Sequence, residues 1–378
     1  MTGSRADFGL VRNVIDEINR RENWDFHILK IRHNSYSVMS QSEYASLSDD
    51  NIKIEFEVEN EISYSTSDIV EDFIKAVRFS HETFKLKAPE LVLVLGDRHE
   101  TLATVISANL SGIPIAHISG GEITEGSYDE SFRHAITKMS NLHFVKEPRN
   151  KLRVMRLGEC PESIFEVGNL ARDSISRTTL KRKEELEQEL GITLGDDNLL
   201  VVIHPETRGD KEVDIIGKTL KALEVFPRTT LLFTAPGNDV GASAIDSAIQ
   251  EFVIKRENAF YFSSLGQENY LSLMAHCIGI VGNSSSGIYE APLLGLFSVN
   301  IGDRQSGRES SDKVIHCTAE FQDIVRAITT LYSKRNLQMQ LEDLPNQDFA
   351  SEKVSEKIVN YLESINPFDF IVKRFYEG

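Results

Sequence analysis

Short apolar, β-branched runs alternate with longer amphipathic stretches along almost the whole chain. A first series of such runs falls at Asp25–Arg32, Lys53–Val58, Glu90–Gly96, Pro114–Ser119, Leu142–Glu147 and Ile164–Gly168. A second falls at Asn198–His204, Thr229–Thr234, Ala259–Ser263, Cys277–Gly282, Phe297–Gly302 and Lys313–Cys317. Between them Ser67–Phe84, Glu100–Leu110, Asp129–Met139, Asp210–Glu224 and Gly241–Lys255 repeat apolar residues at helical spacing. Strands that recur with helices between them are the pattern of parallel α/β sheets, because a parallel crossover needs a long connection. Two series, each about half the chain, predict two doubly wound, Rossmann-like sheets.

The charge-dense run Lys181–Gly191 reads as a solvated helix, and the polar loop 195–198 launches a new strand. Domains are therefore expected at 1–175 and 176–350. A last helix, Ser351–Ile365, follows the polar linker Glu342–Phe349 and opens a tail, 351–378, expected to fold back on the first domain. At the start, Thr2-Gly3-Ser4-Arg5-Ala6-Asp7 reads as a strand-to-helix turn with almost nothing before it. The first strand, normally central in such a sheet, is thus expected to be cut short or absent.

Composition narrows the function. The 378 residues are 40% hydrophobic and 26% charged, as in an ordinary globular protein of about two domains. A net charge of −17 disfavours nucleic-acid and anionic-membrane partners. No apolar run reaches the ~18 residues of a membrane span, and no secretory leader is visible. Cys160, Cys277 and Cys317 are odd in number and follow no metal-ligand spacing, which fits a reducing cytoplasm.

Candidate chemistry gathers at predicted strand ends, where open α/β sheets hold ligands. Gly3-Ser4-Arg5 before a helix would aim N–H groups and a cation at an anion, although neither a Walker loop nor GxGxxG is present. Gly96-Asp97-Arg98 ends one strand, and Asp97 there is either functional or a cap for the next helix. His117-Ile-Ser119-Gly120-Gly121-Glu122 ends the next, its glycine pair letting backbone approach a ligand. Asp129 is expected in the first turn of a helix, while Ser127-x-x-Glu130 has capping-box spacing. Such carboxylates offer proton-handling groups with separately set pKa values.

In the second half, His204 precedes Pro205 at a strand tip. Gly282-Asn283-Ser284-Ser285-Ser286-Gly287 leads a strand into an apolar helix, a ready diphosphate site. Glu290, four residues after Ser286, is expected one turn deeper on the same face, where a carboxylate can take two ribose hydroxyls. Asp303-Arg304-Gln305-Ser306-Gly307-Arg308 then brings two cations to an acidic chain, as a departing diphosphate requires.

Taken together, TGSRADFG, LGDRHE, HISGGE, YDESFRHAITKMS, HPET, GNSSSGIYEAP and NIGDRQSGR resemble the hydrolysing UDP-N-acetylglucosamine 2-epimerases of bacterial sialic-acid synthesis, from residue 2 to about 310. The resemblance implies a glycosyltransferase-B-like pair of Rossmann domains facing across a cleft. It implies conversion of UDP-N-acetylglucosamine and water to N-acetylmannosamine and UDP, without metal or redox cofactor, by a homo-oligomer. Carried over residue by residue, the family's uridine and diphosphate contacts fall on Arg5, Arg98, Ser284, Ser285, Glu290 and Arg304. Its acid/base carboxylates fall on Asp97, Glu122 and Asp129, with Glu130 adjacent, and its cleft histidine on His204. Two departures stand out: Ser119 replaces a glutamate found before the glycine pair in several relatives, and Ile31–Tyr36 replaces a Gly-Met-His segment. The alternatives are the same chemistry on a 2,4-diacetamido-trideoxy UDP-sugar, a non-hydrolysing epimerase, a glycosyltransferase of this fold, and a non-catalytic nucleotide-sugar sensor.

Overall fold

Strand and helix alternate as the sequence predicts in the computed structural model, which describes residues 1–3, 5–33, 54–58, 66–125, 127–206, 214–237, 241–335 and 353–378. The linker 342–349, Ser4 and residues 34–36 of the departing segment lie outside the described residues. Each run read as a strand overlaps one: the first strand begins four residues late and runs one residue past Arg32, to His33, and the others lie within their runs, trimmed at one end or both. The strands are β1 (Leu29–His33), β2 (Ile54–Val58), β3 (Val92–Leu95), β4 (Ile115–Ile118), β5 (Leu142–Val145) and β6 (Ile164–Glu166), then β7 (Asn198–Val202), β8 (Thr230–Thr234), β9 (Ala259–Phe262), β10 (Gly279–Gly282), β11 (Phe297–Ile301) and β12 (Val314–Cys317). All observed pairings are parallel. The described residues form two compact units.

The first unit comprises Met1–Glu122, Tyr128–Ser174 and Phe349–Gly378. Its strands β3-β4-β5-β6 pair in chain order, while β1 and β2 form a separate ladder. Between β1 and β3 runs Met1–Thr2. The Thr2 N–H donates to the Leu29 carbonyl at 3.0 Å, the Ile31 N–H to the Thr2 carbonyl at 3.1 Å, and the Met1 amino group to the Leu93 carbonyl at 2.8 Å. The central position of a doubly wound sheet is thus held by a single bridge, Thr2 to Lys30. Helices α1 (Arg5–Asn19), α2 (Thr66–Lys87), α3 (His99–Leu110) and α4 (Asp129–Met139) connect these strands. The helix Val354–Ser364 also lies in this unit, its Val354, Ile358, Val359 and Leu362 buried with Val11, Val14 and Ile18 of α1.

The second unit is Ile175–Asp348 joined by the short stretch Ile123–Ser127. Its sheet runs β12-β11-β10-β7-β8-β9. From β7 the chain winds outward through β8 and β9, then crosses over to β10 and winds the other way. The switch point therefore lies between β7 and β10, where such sheets open a ligand crevice beyond the strand ends. Leu199 and Val201 of β7 enter one buried cluster, and Leu200 and Val202 the other. Burial on both faces is why these strands read as unbroken apolar runs.

Candidate active site

In the first unit the chemistry sits where β3 and β4 end. These strands pair in register, so the turns Gly96-Asp97-Arg98 and Ser119-Gly120-Gly121-Glu122 emerge side by side. Helix α4 locks both turns with one side chain. Arg133, only 2% exposed, donates from one terminal nitrogen to the Asp97 carboxylate and from the other to the Ser119 carbonyl at 3.2 Å. Ser119 adopts a left-handed backbone, φ +68°, which a residue with a side chain takes only under restraint. Wholly buried His117 fixes the same corner. Its Nε2 bonds the Gly96 carbonyl at 2.8 Å and its Nδ1 meets the Thr137 hydroxyl at 3.1 Å. A carbonyl can only accept, so Nε2 carries the proton and Nδ1 accepts from Thr137. Burial pushes the imidazole down to about 3, against the pull of the Gly96 bond, so His117 is a neutral spacer.

Two local alternatives that the sequence leaves open bear on this corner. Asp97 does not cap the next helix: Arg98 is the N-cap of α3, and the Asp97 carboxylate goes to Arg133. At α4 it is Tyr128, and not Ser127, that occupies the N-cap position. Glu130 instead reaches His134, one turn on, at 2.9 Å. Asp129 and Glu130 both fall in the first turn of α4 and are half-buried, as is Glu122. Arg98 pairs through Nε with the buried carboxylate of Glu100 at 3.2 Å. Arg5 is the first residue of α1.

In the second unit the switch point gathers His204 after β7, Ser284 and Ser285 after β10, and Arg304 after β11. Ser284 is the N-cap of the short helix Ser285–Ile288. Its Oγ accepts from the Ser286 N–H and meets the Ser286 hydroxyl at 2.9 Å. Ser286 in turn bonds the Tyr270 hydroxyl at 2.6 Å, and burial pushes that phenol's pKa up. The helix does not run on to carry Glu290 on an unbroken face. It breaks at Tyr289, and Glu290 begins a second short helix, Glu290–Leu293. Pro292 supplies the cause, since it has no N–H to return to Ile288 and its ring crowds that carbonyl.

The two guanidinium groups also part company. Arg304 donates to the Asn283 carbonyl at 3.4 Å. Arg308 instead binds the Ile123 carbonyl at 3.2 Å and the Thr124 hydroxyl at 2.9 Å, with its guanidinium over the Tyr289 ring. That grip, with the Glu125 N–H donating to the Ser306 carbonyl at 3.2 Å, ties Ile123–Ser127 to the second unit. Glu206 braces the Arg304 turn by accepting from the Asp303 N–H at 3.2 Å, and burial raises its pKa. Glycine is favoured at position 302 beneath it: φ is +73°, strained for any side chain, and a Cβ would stand 2.4 Å from the Glu206 carboxylate, which would have to move.

A family model described as UDP-N-acetylglucosamine 2-epimerase matches residues 16–363 of this chain. The chain belongs to that family. Among curated relatives it is 34% identical over 337 residues to the polysialic acid biosynthesis protein P7 of Escherichia coli, covering 87% of this chain and 84% of the relative. It is 32% identical over 341 residues to the GDP/UDP-N,N'-diacetylbacillosamine 2-epimerase (hydrolyzing) of Campylobacter jejuni, covering 88% of this chain and 87% of the relative. The fold matches that of the UDP-GlcNAc 2-epimerase of Neisseria meningitidis, crystallised with UDP-GlcNAc, with a TM-score of 0.74 at 17% identity over 96% of this chain and 98% of that one.

For an epimerase of this family, the candidate carboxylates Asp97, Glu122, Asp129 and Glu130 lie in the first unit, and His204, Ser284, Ser285, Glu290 and Arg304 in the second. The sequence reading missed Arg133, His117 and Asn283, which hold these groups in place. Arg133 had a signal: it lies four residues after Asp129 and four before Thr137, on one face of α4. Among the described residues no group of three or more His, Cys, Asp or Glu is gathered to hold a metal ion, and no helix is long and apolar enough to cross a membrane. Cys160, Cys277 and Cys317 are free thiols.

Proposed function

We propose that the chain is a hydrolysing 2-epimerase that converts UDP-N-acetylglucosamine and water to N-acetylmannosamine and UDP. The observation that carries this reading is the match over 88% of the chain to a relative whose name states hydrolysis. The relative named for polysialic acid synthesis supports N-acetylmannosamine as the product sugar.

The residue types suit the chemistry. A base takes the weakly acidic C2 proton while the C1–O bond breaks toward UDP, leaving a glycal with a C1–C2 double bond. Water then adds its oxygen to C1, and an acid returns a proton to the opposite face of C2. In this reading Asp97, Glu122 and Asp129, with Glu130 beside them, handle the protons and offset positive charge developing at C1. Ser284, Ser285, Glu290 and Arg304, with Arg5 and Arg98, hold uridine and diphosphate and take the charge of the leaving UDP, and His204 beside the diphosphate is counted with the catalytic groups. Arg133 keeps Asp97 aimed, and His117 holds the turn without adding charge.

A second reading, the same chemistry on UDP-2,4-diacetamido-2,4,6-trideoxyglucose, is favoured by the diacetylbacillosamine relative. Offering the purified protein both UDP-sugars and separating products by anion-exchange chromatography tests both readings. Free UDP with a free 2-epimeric sugar is expected, from UDP-N-acetylglucosamine more readily than from the diacetamido sugar. A product still attached to UDP would overturn hydrolysis, and turnover of the diacetamido sugar alone would move the assignment to it.

A further inference from the structure

Past the last paired residues of β7 and β10, the chains stay joined through one side chain. Gly282 and Val202 close the register. Gly282 lets the strands stay close there, since a Cβ would stand 1.9 Å from the Val202 carbonyl. The Asn283 N–H then donates to that carbonyl at 3.1 Å. From there the Asn283 carboxamide takes over the ladder. Its Oδ1 accepts from the His204 N–H at 2.7 Å, and its Nδ2 donates to the His204 carbonyl at 2.8 Å. The amide thus does for His204 what a neighbouring backbone does inside a sheet, and it is wholly buried.

Asn283 also faces the other strand-end turn. Its carbonyl accepts from Gln305 Nε2 at 2.8 Å and from Arg304 at 3.4 Å. The imidazole of His204 is oriented separately, because its Nδ1 accepts from the Gly237 N–H at 3.0 Å. An Nδ1 that accepts leaves the ring proton on Nε2, which makes Nε2 the donor. Asn283 therefore fixes the backbone of His204 and Gly237 its ring, and Asn283 also links that histidine to the Arg304 turn.

We propose that Asn283 is a positioning residue that sets His204 and Arg304 jointly for a nucleoside diphosphate. This rests on the reading of the switch point as the UDP site. Only asparagine fits the role at this length. Aspartate would turn a second acceptor on the His204 carbonyl, serine has one hydroxyl for two partners, and alanine has neither group.

Asn283→Asp keeps the shape and the bond from the His204 N–H while opposing two oxygens at the His204 carbonyl. Two readouts test it, with Asn283→Ala as the second variant and circular dichroism to confirm folding. The first needs no substrate: in ¹⁵N-histidine spectra, with the His204 signal assigned from His204→Gln, the parent protein should show one tautomer, protonated at Nε2. Both variants should show a second tautomer or a broadened signal. Unchanged spectra would overturn the clamp.

The second readout is UDP affinity by calorimetry. Each variant should bind about tenfold more weakly, and Asn283→Ala should add little to a His204→Ala background, because the two act as one unit. Full additivity, or unchanged affinity despite altered spectra, would overturn the positioning role. If the parent protein does not bind UDP, the UDP reading of the site falls, while the spectra still decide whether Asn283 holds His204.

Discussion

Arg133 braces the candidate carboxylates of the first unit and Asn283 the strand-end residues of the second, and neither exchanges protons with substrate in the proposed reaction. Strand-end side chains such as Asp97 and His204 were legible because an apolar run that ends on a polar residue is visible in one dimension. Arg133, His117 and Asn283 were not, since each owes its role to a partner on another element: Asp97, Gly96 and His204 respectively. Asp97→Asn, Glu122→Gln and Asp129→Asn remove proton-transfer capacity at nearly constant shape. Each is expected to lower kcat by about 10²–10⁴ with UDP affinity kept, measured by steady-state kinetics and calorimetry. Glu122→Gln is the most telling, because Ser119 stands where several relatives carry an acid. Normal turnover in that variant would assign the proton to another carboxylate. Arg304→Ala should instead weaken UDP binding by about 1.5–3 kcal/mol, the worth of charge-assisted hydrogen bonds, and unchanged affinity would remove Arg304 from the nucleotide site.

At the scale of elements, strands were easier to read than helix ends. Val92–Leu95 or Gly279–Gly282 declare themselves by composition, because both faces are buried. The start of α4 did not, since Glu130 has a helical neighbour, His134, that competes with the cap the spacing suggests. The break at Tyr289 was written in Pro292, and the helical periodicity that placed Glu290 beneath Ser286 passed over it. Buried titratable groups on β4, β5 and the loop beyond give the first unit a pH dependence. His117, held neutral down to about 3, lets the unfolded chain bind a proton that the fold refuses. Stability should therefore fall as pH drops below the ordinary histidine value of 6.5. His143, also lowered by burial, acts in the same direction. Burial pushes the Glu159 carboxyl up, but bonds from His143, Lys138 and Lys373 outweigh it and hold it at about 2. Its contribution is lost as pH falls below 4.5. Amide hydrogen exchange at pH 7, 5.5 and 4.5 should show β4 and β5 losing protection stepwise, and constant protection would contradict this assignment.

For the molecule as a whole, two strand series announced two parallel sheets, and the order of the second sheet places its switch point where the candidate nucleotide residues lie. The excursion of Ile123–Ser127 into the second unit could not be read, because its ties, from Arg308 to Ile123 and Thr124 and from Glu125 to Ser306, span about 180–185 residues of sequence. In the proposed reaction, proton chemistry falls to carboxylates of the first unit and the diphosphate grip mainly to the second. That reaction requires C2–H to be broken and remade while C1–O is cleaved. The most direct measurement is to run the reaction in D₂O and, separately, in ¹⁸O-labelled water, reading the product by NMR and mass spectrometry. N-acetylmannosamine with deuterium at C2, and ¹⁸O at C1 in product trapped before the anomeric oxygen exchanges, is the predicted result. Product that keeps its original C2 hydrogen, or UDP that carries the label in place of the sugar, would contradict elimination and hydration.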